Sequence, residues 1–360
     1  MEEKVAIVEL SNSHDECMLS QLVALKRRDC HVTMVSTEVI RERNPWFNQY
    51  IDAFKKVEVT GSAIGDLKKM LELLRFFKKE KISKVIFNTA QGGHVRNLCL
   101  FAPSDIEFIG IIHTLNKFRG SFTQRIINRK IKKYFVLNDY FLKFIPEWQR
   151  KQVRSFYPLR FPQFPKRLEK PEGEIWITVI GGVENRRKDL VGSVDLIGQL
   201  PETARVIFLG KSDPGRQDFM DFHRELNQQG LAHRVLTFDH FVDQATFHAY
   251  MMNTDLVWTM IHPDAECAKE YFSNQIPGAL NAALAYHVPM LNHKYYVERW
   301  SDLQYSISYT RETFAADLID GMKRQDQLRK SMGSSKNLQV EFQEENFAEY
   351  VFSKRFASMR

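Results

Sequence analysis

Residues 175–188 read IWITVIGGVENRRK. The first six, Ile175 to Ile180, form a short uncharged run, the pattern of a strand covered on both faces. Gly181 and Gly182 make a tight exit loop, three cations follow at Arg186, Arg187 and Lys188, and residues 190–200 read as a helix. Strand, glycine loop and helix open a βαβ unit. The loop also carries a chemical signal. Cations at a helix start oppose its dipole and call for a counter-charge. A diphosphate supplies one, and it takes N–H donors from a loop whose glycines let the backbone approach closely.

The alternation continues in both directions from this stretch. Downstream, residues 205–209 read as a strand ending at Gly210, and residues 213–229 as a helix with Asp213 suited to the N-cap and Pro214 to the first turn. Residues 234–238 and 256–259 are strand-like around a helix at 244–252, and a helix at 278–286 leads to a strand at 288–291. After Glu312 the chain reads as mainly helical. Upstream, residues 5–10 form an apolar strand run, and Ser13 with Glu16 has capping-box spacing ahead of a helix. Residues 31–35, 84–88, 108–112 and 134–137 are further strands. Leu67, Met70, Leu71, Leu74 and Phe77 mark an amphipathic helix, and residues 121–133 a basic one. This order predicts an α/β protein with two Rossmann-like, doubly wound domains facing a cleft.

Residues 157–171 interrupt the rhythm with Pro158, Pro162, Pro165 and Pro171, each removing a donor and fixing φ. For a chain of 360 residues, this places a linker between two domains, 1–160 and 161–340, with a C-terminal helix at 341–360 packing back across them. Apolar residues at 44% and charged residues at 26% allow an ordinary core. No apolar run is long enough to span a bilayer, and the start, MEEKVAIVEL, lacks a secretory pattern. Cys17, Cys30, Cys99 and Cys267 fit no metal box or redox pair, so a cytoplasmic enzyme with reduced thiols and no bound metal is expected. The net charge of +7 suits an anionic partner. Interleaved aromatic–basic motifs are missing, which argues against nucleic acid.

In open parallel sheets ligands lie beyond the carboxyl ends of the strands, so the loops there are the candidates. Gly210 and Lys211 end one strand. Residues 266–281 form another such loop: Glu266 and Glu270 are acidic, Ser273, Asn274 and Gln275 suit sugar or ribose hydroxyls, and Ile276, Pro277, Gly278 and Ala279 lead into a helix N-terminus able to hold a phosphate. In the first half, Asn12 and His14, then Asn88, Gln91 and His94, then His113 follow three successive strands and can converge on one site.

Together, residues 177–188, 206–211, 241–255 and 282–291 resemble the GT-B glycosyltransferases, and among them the retaining, nucleotide-sugar-dependent group of the family 4 type. The resemblance implies a UDP- or GDP-sugar as donor substrate, with no tightly bound cofactor. It implies diphosphate contacts at Gly181, Gly182, Arg187 and Lys188, and base contacts near Phe241 and Val242. His113 resembles the histidine placed beside the donor sugar, and Glu266 and Glu270 stand where a carboxylate could be supplied from a shifted loop. The acceptor is expected to be a glycan or a lipid-linked glycan, met by the first domain. Retention without a metal ion is the implied outcome, although the group's glutamate pair falls here on Asn274 and Ala282.

Two alternatives stay open. A sugar-nucleotide epimerase of this architecture would use the same diphosphate contacts, and a non-catalytic nucleotide- or glycan-binding protein would need only the binding half. The basic helix at 121–133 interleaves Phe122, Ile126, Ile127 and Ile131 with Arg and Lys. It suits either an anionic membrane surface, with the protein peripheral at the inner face, or packing of the isoleucines on the sheet.

Overall fold

The computed structural model of the protein describes residues 2–353 apart from Thr60, Arg187, Glu266, Cys267, Lys269, Glu270, Phe272 and Ser273. The chain divides into two compact units. One comprises Met1–Phe161 together with Gln339–Arg360, the other Pro162–Leu338.

The first unit holds β1 (Lys4–Val8), β2 (His31–Ser36), β3 (Ala53–Lys56), β4 (Lys84–Phe87), β5 (Glu107–Ile112), β6 (Lys133–Val136) and β7 (Val153–Ser155). They lie in the order β3-β2-β1-β4-β5-β6-β7 among the described residues, every pair parallel. Ile7 pairs with Met34 on one side and Ile86 on the other. Val5, Ala6 and Ile7 are wholly buried, as a central parallel strand covered on both faces requires.

The second unit holds β8 (Ile175–Ile180), β9 (Ala204–Lys211), β10 (Val235–Phe238), β11 (Leu256–Trp258), β12 (Met290–His293) and β13 (Ser306–Tyr309). Its order, β10-β9-β8-β11-β12-β13, repeats that of the first six strands of the other sheet, again all parallel. Ile177, Val179, Phe208, Leu256 and Trp258 form its core with the helix residues Leu190, Val194 and Ile197. Each such side chain contributes about 1.5–3 kcal/mol by leaving water. In both sheets the order reverses direction between the first and fourth strands, so each has a crevice at that point.

The C-terminal helix Val340–Phe352 belongs to the first unit. Phe347 stacks on Phe135 at 4.7 Å. The nearly inaccessible Glu344 carboxylate meets Arg27 at 2.8 Å and also pairs with Arg160. Tyr157 N–H donates to Gln343 at 3.1 Å.

Three local expectations are corrected. Ser13 and Glu16 form no capping box: Ser13 bonds Ser11, Glu16 turns to His14, and a short 3-10 turn, Asp15–Cys17, precedes the helix Met18–Lys26. Asp213 does not cap the next helix, because its carboxylate accepts from Gly215 N–H two residues on and the helix Gln217–Gln228 starts later. The basic helix stops at Lys130, and Lys133 is a buried strand residue that pairs with Glu107 at 3.2 Å. Ile127 and Ile131 of that stretch are fully buried, whereas Phe122 stays 73% exposed.

Candidate functional site

In the second unit the crevice lies at the ends of β8 and β11. Gly181 turns there with φ +99°, a conformation other residues avoid. Its neighbour is glycine for a different reason. A Cβ on Gly182 would stand 1.9 Å from the Lys211 carbonyl oxygen, and one on Gly210 would stand 2.6 Å from the Gly181 Cα. Gly182 and Gly210 therefore let the β8 and β9 exits pack backbone to backbone. Ser212 secures this junction: it accepts from Val183 N–H at 3.0 Å and donates its own N–H to the Phe238 carbonyl at 2.7 Å.

Lys188 folds back over the loop. It is 5% exposed, and its ammonium donates to the Gly182 carbonyl at 3.0 Å. The next residue, Asp189, joins the two central strand ends by donating its N–H to the Met260 carbonyl at 2.7 Å. Met260 has φ +53°, a strained state for a side chain of its kind and one that concentrates at functional sites. The Asp189 carboxylate caps the helix Leu190–Gly198 through Gly192 N–H at 3.2 Å and pairs with Arg311 at 2.6 Å.

A cavity of about 170 Å³ opens here, lined by Gly181, Glu184, Lys188, Thr259, Tyr271, Pro277, Gly278 and Ala279 among others. It is smaller than the roughly 300–1,000 Å³ of a complete small-molecule pocket. One wall is the start of the helix Gly278–Ala285, where Pro277 takes the cap position without a side-chain cap among the described residues. A buried ammonium and a helix N-terminus thus border the same space, an arrangement suited to an anion. On the adjoining strand ends Thr259 donates to Asn292 at 2.7 Å, and Asn292 to Ser306 at 2.9 Å, which ties β11, β12 and β13 together.

The first unit builds a second polar centre at the ends of β1, β4 and β5. Glu9, 1% exposed, accepts from Ser11 N–H at 2.9 Å, Ser11 Oγ at 2.8 Å, Asn88 Nδ2 at 2.8 Å and Thr89 Oγ1 at 2.6 Å. Asn88 also donates to the His14 carbonyl at 2.8 Å and accepts from Gln21 at 2.6 Å. His113 donates Nε2–H to the Asn88 carbonyl at 2.7 Å, so that nitrogen carries the proton. Burial, helped by the neighbouring His14 charge, lowers the His113 pKa to about 4. The His14 and His113 imidazoles lie against each other, tilted by 31° with centroids 4.0 Å apart.

The residues singled out from sequence are therefore spread over two units. Lys188, Gly181, Pro277, Gly278 and Ala279 share the cavity. Gly210 and the Lys211 backbone pack against Gly181 and Gly182, Val242 is buried and Phe241 is 57% exposed. Tyr271 and Gln275 form an isolated bridge beside it. Arg187, Glu266, Glu270 and Ser273 lie outside the described residues. In the first unit His14, Asn88 and His113 come together, and Gln91 accepts from the His113 and Thr114 N–H groups at 3.2 and 3.1 Å. Asn12 accepts from Thr37 at 2.6 Å, and His94 is held by Asp66 at 3.0 Å on a neighbouring helix. Sequence reasoning passed over Glu9, Glu184, Thr259 and Tyr271. Glu9 alone had a signal, an acid directly after an apolar strand.

No protein-family model and no curated protein sequence matches the chain. Its fold does have counterparts. It is similar to a glycosyltransferase from Rickettsia africae, with a TM-score of 0.66, 10% identity, and coverage of 98% of this chain and 100% of that one. It is similar to HepE of Anabaena, solved with UDP-glucose, with a TM-score of 0.62, 15% identity and coverage of 96% and 98%. It is also similar to a putative UDP-N-acetylglucosamine 2-epimerase from Listeria monocytogenes, with a TM-score of 0.63, 12% identity and coverage of 96% and 94%. The chain has the two-domain GT-B fold.

Proposed function

We propose that the protein is a glycosyltransferase that takes a sugar from a nucleotide-diphosphate donor, a UDP- or GDP-sugar, and passes it to a glycan or lipid-linked glycan. The observation that carries this reading is the cavity at the ends of β8 and β11, where the buried Lys188 ammonium and the N-terminus of the helix Gly278–Ala285 border one small space. A diphosphate held there would have its growing negative charge offset as the glycosidic bond breaks, by fixed groups that need no reorganisation. Arg187 would add a second cation, with Gln275 and Asn274 near the sugar or ribose. Phe241 and Val242 would lie near the base. The acceptor would meet the polar centre of the first unit, around His14, Asn12, Gln91 and His113.

Retention of configuration, implied by the resemblance, goes with a glutamate pair that this chain replaces by Asn274 and Ala282. The proposed activity is therefore transfer, and the configuration of the product follows from whether the acceptor attacks the anomeric carbon from the face opposite the departing diphosphate or from the same face. For a lipid-linked acceptor, the exposed Phe122 with Arg125 and Arg129 one and two turns on would rest on an anionic bilayer surface at the cytoplasmic face. Among the described residues no helix is long and apolar enough to cross a membrane.

A panel of UDP-, GDP- and ADP-sugars tests the reading, scored by thermal shift and by release of nucleoside diphosphate. At least one should raise the melting temperature and be consumed. No shift with any nucleoside diphosphate rejects it. The similarity to an epimerase favours a second reading, sugar-nucleotide epimerisation. Proton NMR of a donor incubated alone separates the two, since only the epimerase converts it to a second sugar nucleotide.

A further inference from the structure

We propose that Thr259 accepts a hydrogen bond from a hydroxyl of the donor's sugar and so helps the second unit select that sugar. The proposal rests on the nucleotide-sugar reading of the cavity and adds to it a residue that reads the sugar.

The position of the side chain is the first argument. Trp258 and Leu291 point into the core shared with Leu190 and Val194. Side chains alternate along a strand, so Thr259 and Asn292, each one residue on, face the other way. There Thr259, 7% exposed, lines the cavity with Lys188, Pro277 and Gly278. Its partner Asn292 is wholly buried.

The direction of the hydrogen bonds is the second argument. A threonine hydroxyl has one proton and two lone pairs. Thr259 donates its proton to Asn292 Oδ1 at 2.7 Å, and Asn292 Nδ2 donates in turn to Ser306 Oγ at 2.9 Å. Turning the Thr259 proton into the cavity would leave a buried amide oxygen without that partner. Toward the cavity Thr259 therefore offers lone pairs only. The ionised diphosphate of a nucleotide sugar also only accepts, so it pairs with Lys188 and the helix start and not with Thr259. In a space of about 170 Å³, the group that suits Thr259 is an O–H carried close to a phosphate.

The sheet order says which O–H this is. Phe241 and Val242 follow β10, two strands to one side of β8, and Thr259 follows β11, next to β8 on the other side. With the base near Phe241 and Val242 and the diphosphate at Lys188, the ribose lies toward β10 and the sugar toward β11. Thr259 thus meets the sugar. A sugar with a hydroxyl at that point completes the bond, and one with a second acceptor there leaves it unmade.

The test uses the full chain, the nucleotide sugar identified by the panel, and analogues in which each of its sugar hydroxyls is replaced in turn by fluorine, which cannot donate. Isothermal titration of the wild type should show a replacement that weakens binding about tenfold. Thr259→Val keeps the shape and removes the oxygen. It should bind the parent nucleotide sugar about tenfold more weakly, bind the nucleoside diphosphate as the wild type does, and no longer discriminate against that analogue. Thr259→Ser keeps the hydroxyl and should keep the discrimination. Equal losses for nucleotide sugar and nucleoside diphosphate in Thr259→Val would put the residue on the phosphate or ribose and overturn the proposal. Unchanged affinity for both, or discrimination that survives the valine, overturns it too. The wild-type series decides the matter if the valine variant does not fold: fluorinated analogues that all bind within about threefold of the parent overturn the proposal and leave the nucleotide-sugar reading standing. A wild-type chain that binds no nucleotide sugar of the panel defeats that reading, and this proposal with it.

Discussion

A methyl group on Gly182 would lie 1.9 Å from the Lys211 carbonyl oxygen, so the loop after β8 and the end of β9 touch through bare backbone. The contact is with main chain rather than with a flexible side chain, and the clash cannot be relieved by a rotamer change. Gly182→Ala should therefore cost about 1–3 kcal/mol of stability and displace Lys188, whose ammonium is anchored on the Gly182 carbonyl. Calorimetry should show the loss, and the thermal shift by nucleoside diphosphate should shrink in the same variant.

Lys188→Met separates charge from packing. Methionine fills much of the same volume and tolerates irregular surroundings, so the melting temperature of the free protein should change little. A charge-assisted hydrogen bond to a phosphate contributes about 1.5–3 kcal/mol, so the affinity for UDP or GDP should fall by about one to two orders of magnitude. Isothermal titration measures both, and unchanged affinity in a folded variant would remove Lys188 from the anion site.

The helix Val340–Phe352 is held to the first unit by Glu344, which is 1% exposed between Arg27 and Arg160. Removing one partner of a buried pair leaves the others uncompensated. The arginines keep some contact with water, which moderates the penalty to about 1–3 kcal/mol. Glu344→Gln should raise amide exchange in Val340–Phe352 before it affects β8 or β9, as read by mass spectrometry.

His113 makes stability depend on pH in a definite direction. Its folded pKa, about 4, lies below the ordinary histidine value of 6.5. The unfolded chain therefore binds more protons between those values, and the contribution is complete above pH 6.5 and lost as pH falls toward 4. Its size is about 3 kcal/mol by linkage. His14, shifted upward, acts in the opposite sense, its contribution being present below the unfolded pKa and lost as pH rises through the folded one. His113→Gln should flatten the decline of first-unit stability between pH 6.5 and 4, followed by amide exchange of β1 and β4. A decline as steep as in wild type would place its origin elsewhere.

Much of this was legible in the chain, for reasons specific to each element. Residues 175–180 form an uncharged, mostly apolar run, and β8 occupies that span. Residues 244–252 were read as helix and the helix runs Gln244–Asn253, with Asp243 accepting from Thr246 N–H at 2.9 Å as its cap. β3, β7 and β13 were missed. They read AFKK, VRS and SISY, sit at sheet edges and show no apolar run. Glu9 could not be understood locally, because its partners Asn88 and Thr89 lie about 80 residues away and reach it only once β1 and β4 pair. The close approach of Gly182 to the Lys211 backbone was hidden for the same reason, since only the pairing of β8 with β9 brings the two alongside. Ser13 shows the reverse error, a local capping pattern overridden when Glu16 found His14 instead.

The second unit is one unbroken stretch, Pro162–Leu338, while the first is completed by residues from both ends of the chain. Topologically the second is an insert in the first. Two cuts, at 161/162 and 338/339, would lift out the half proposed to select the nucleotide sugar as a cassette, leaving the Phe347–Phe135 stack and the Glu344 pairs of its host untouched. Grafting another GT-B second domain between those cuts is thus a direct route to a chimera with the old acceptor and a new donor.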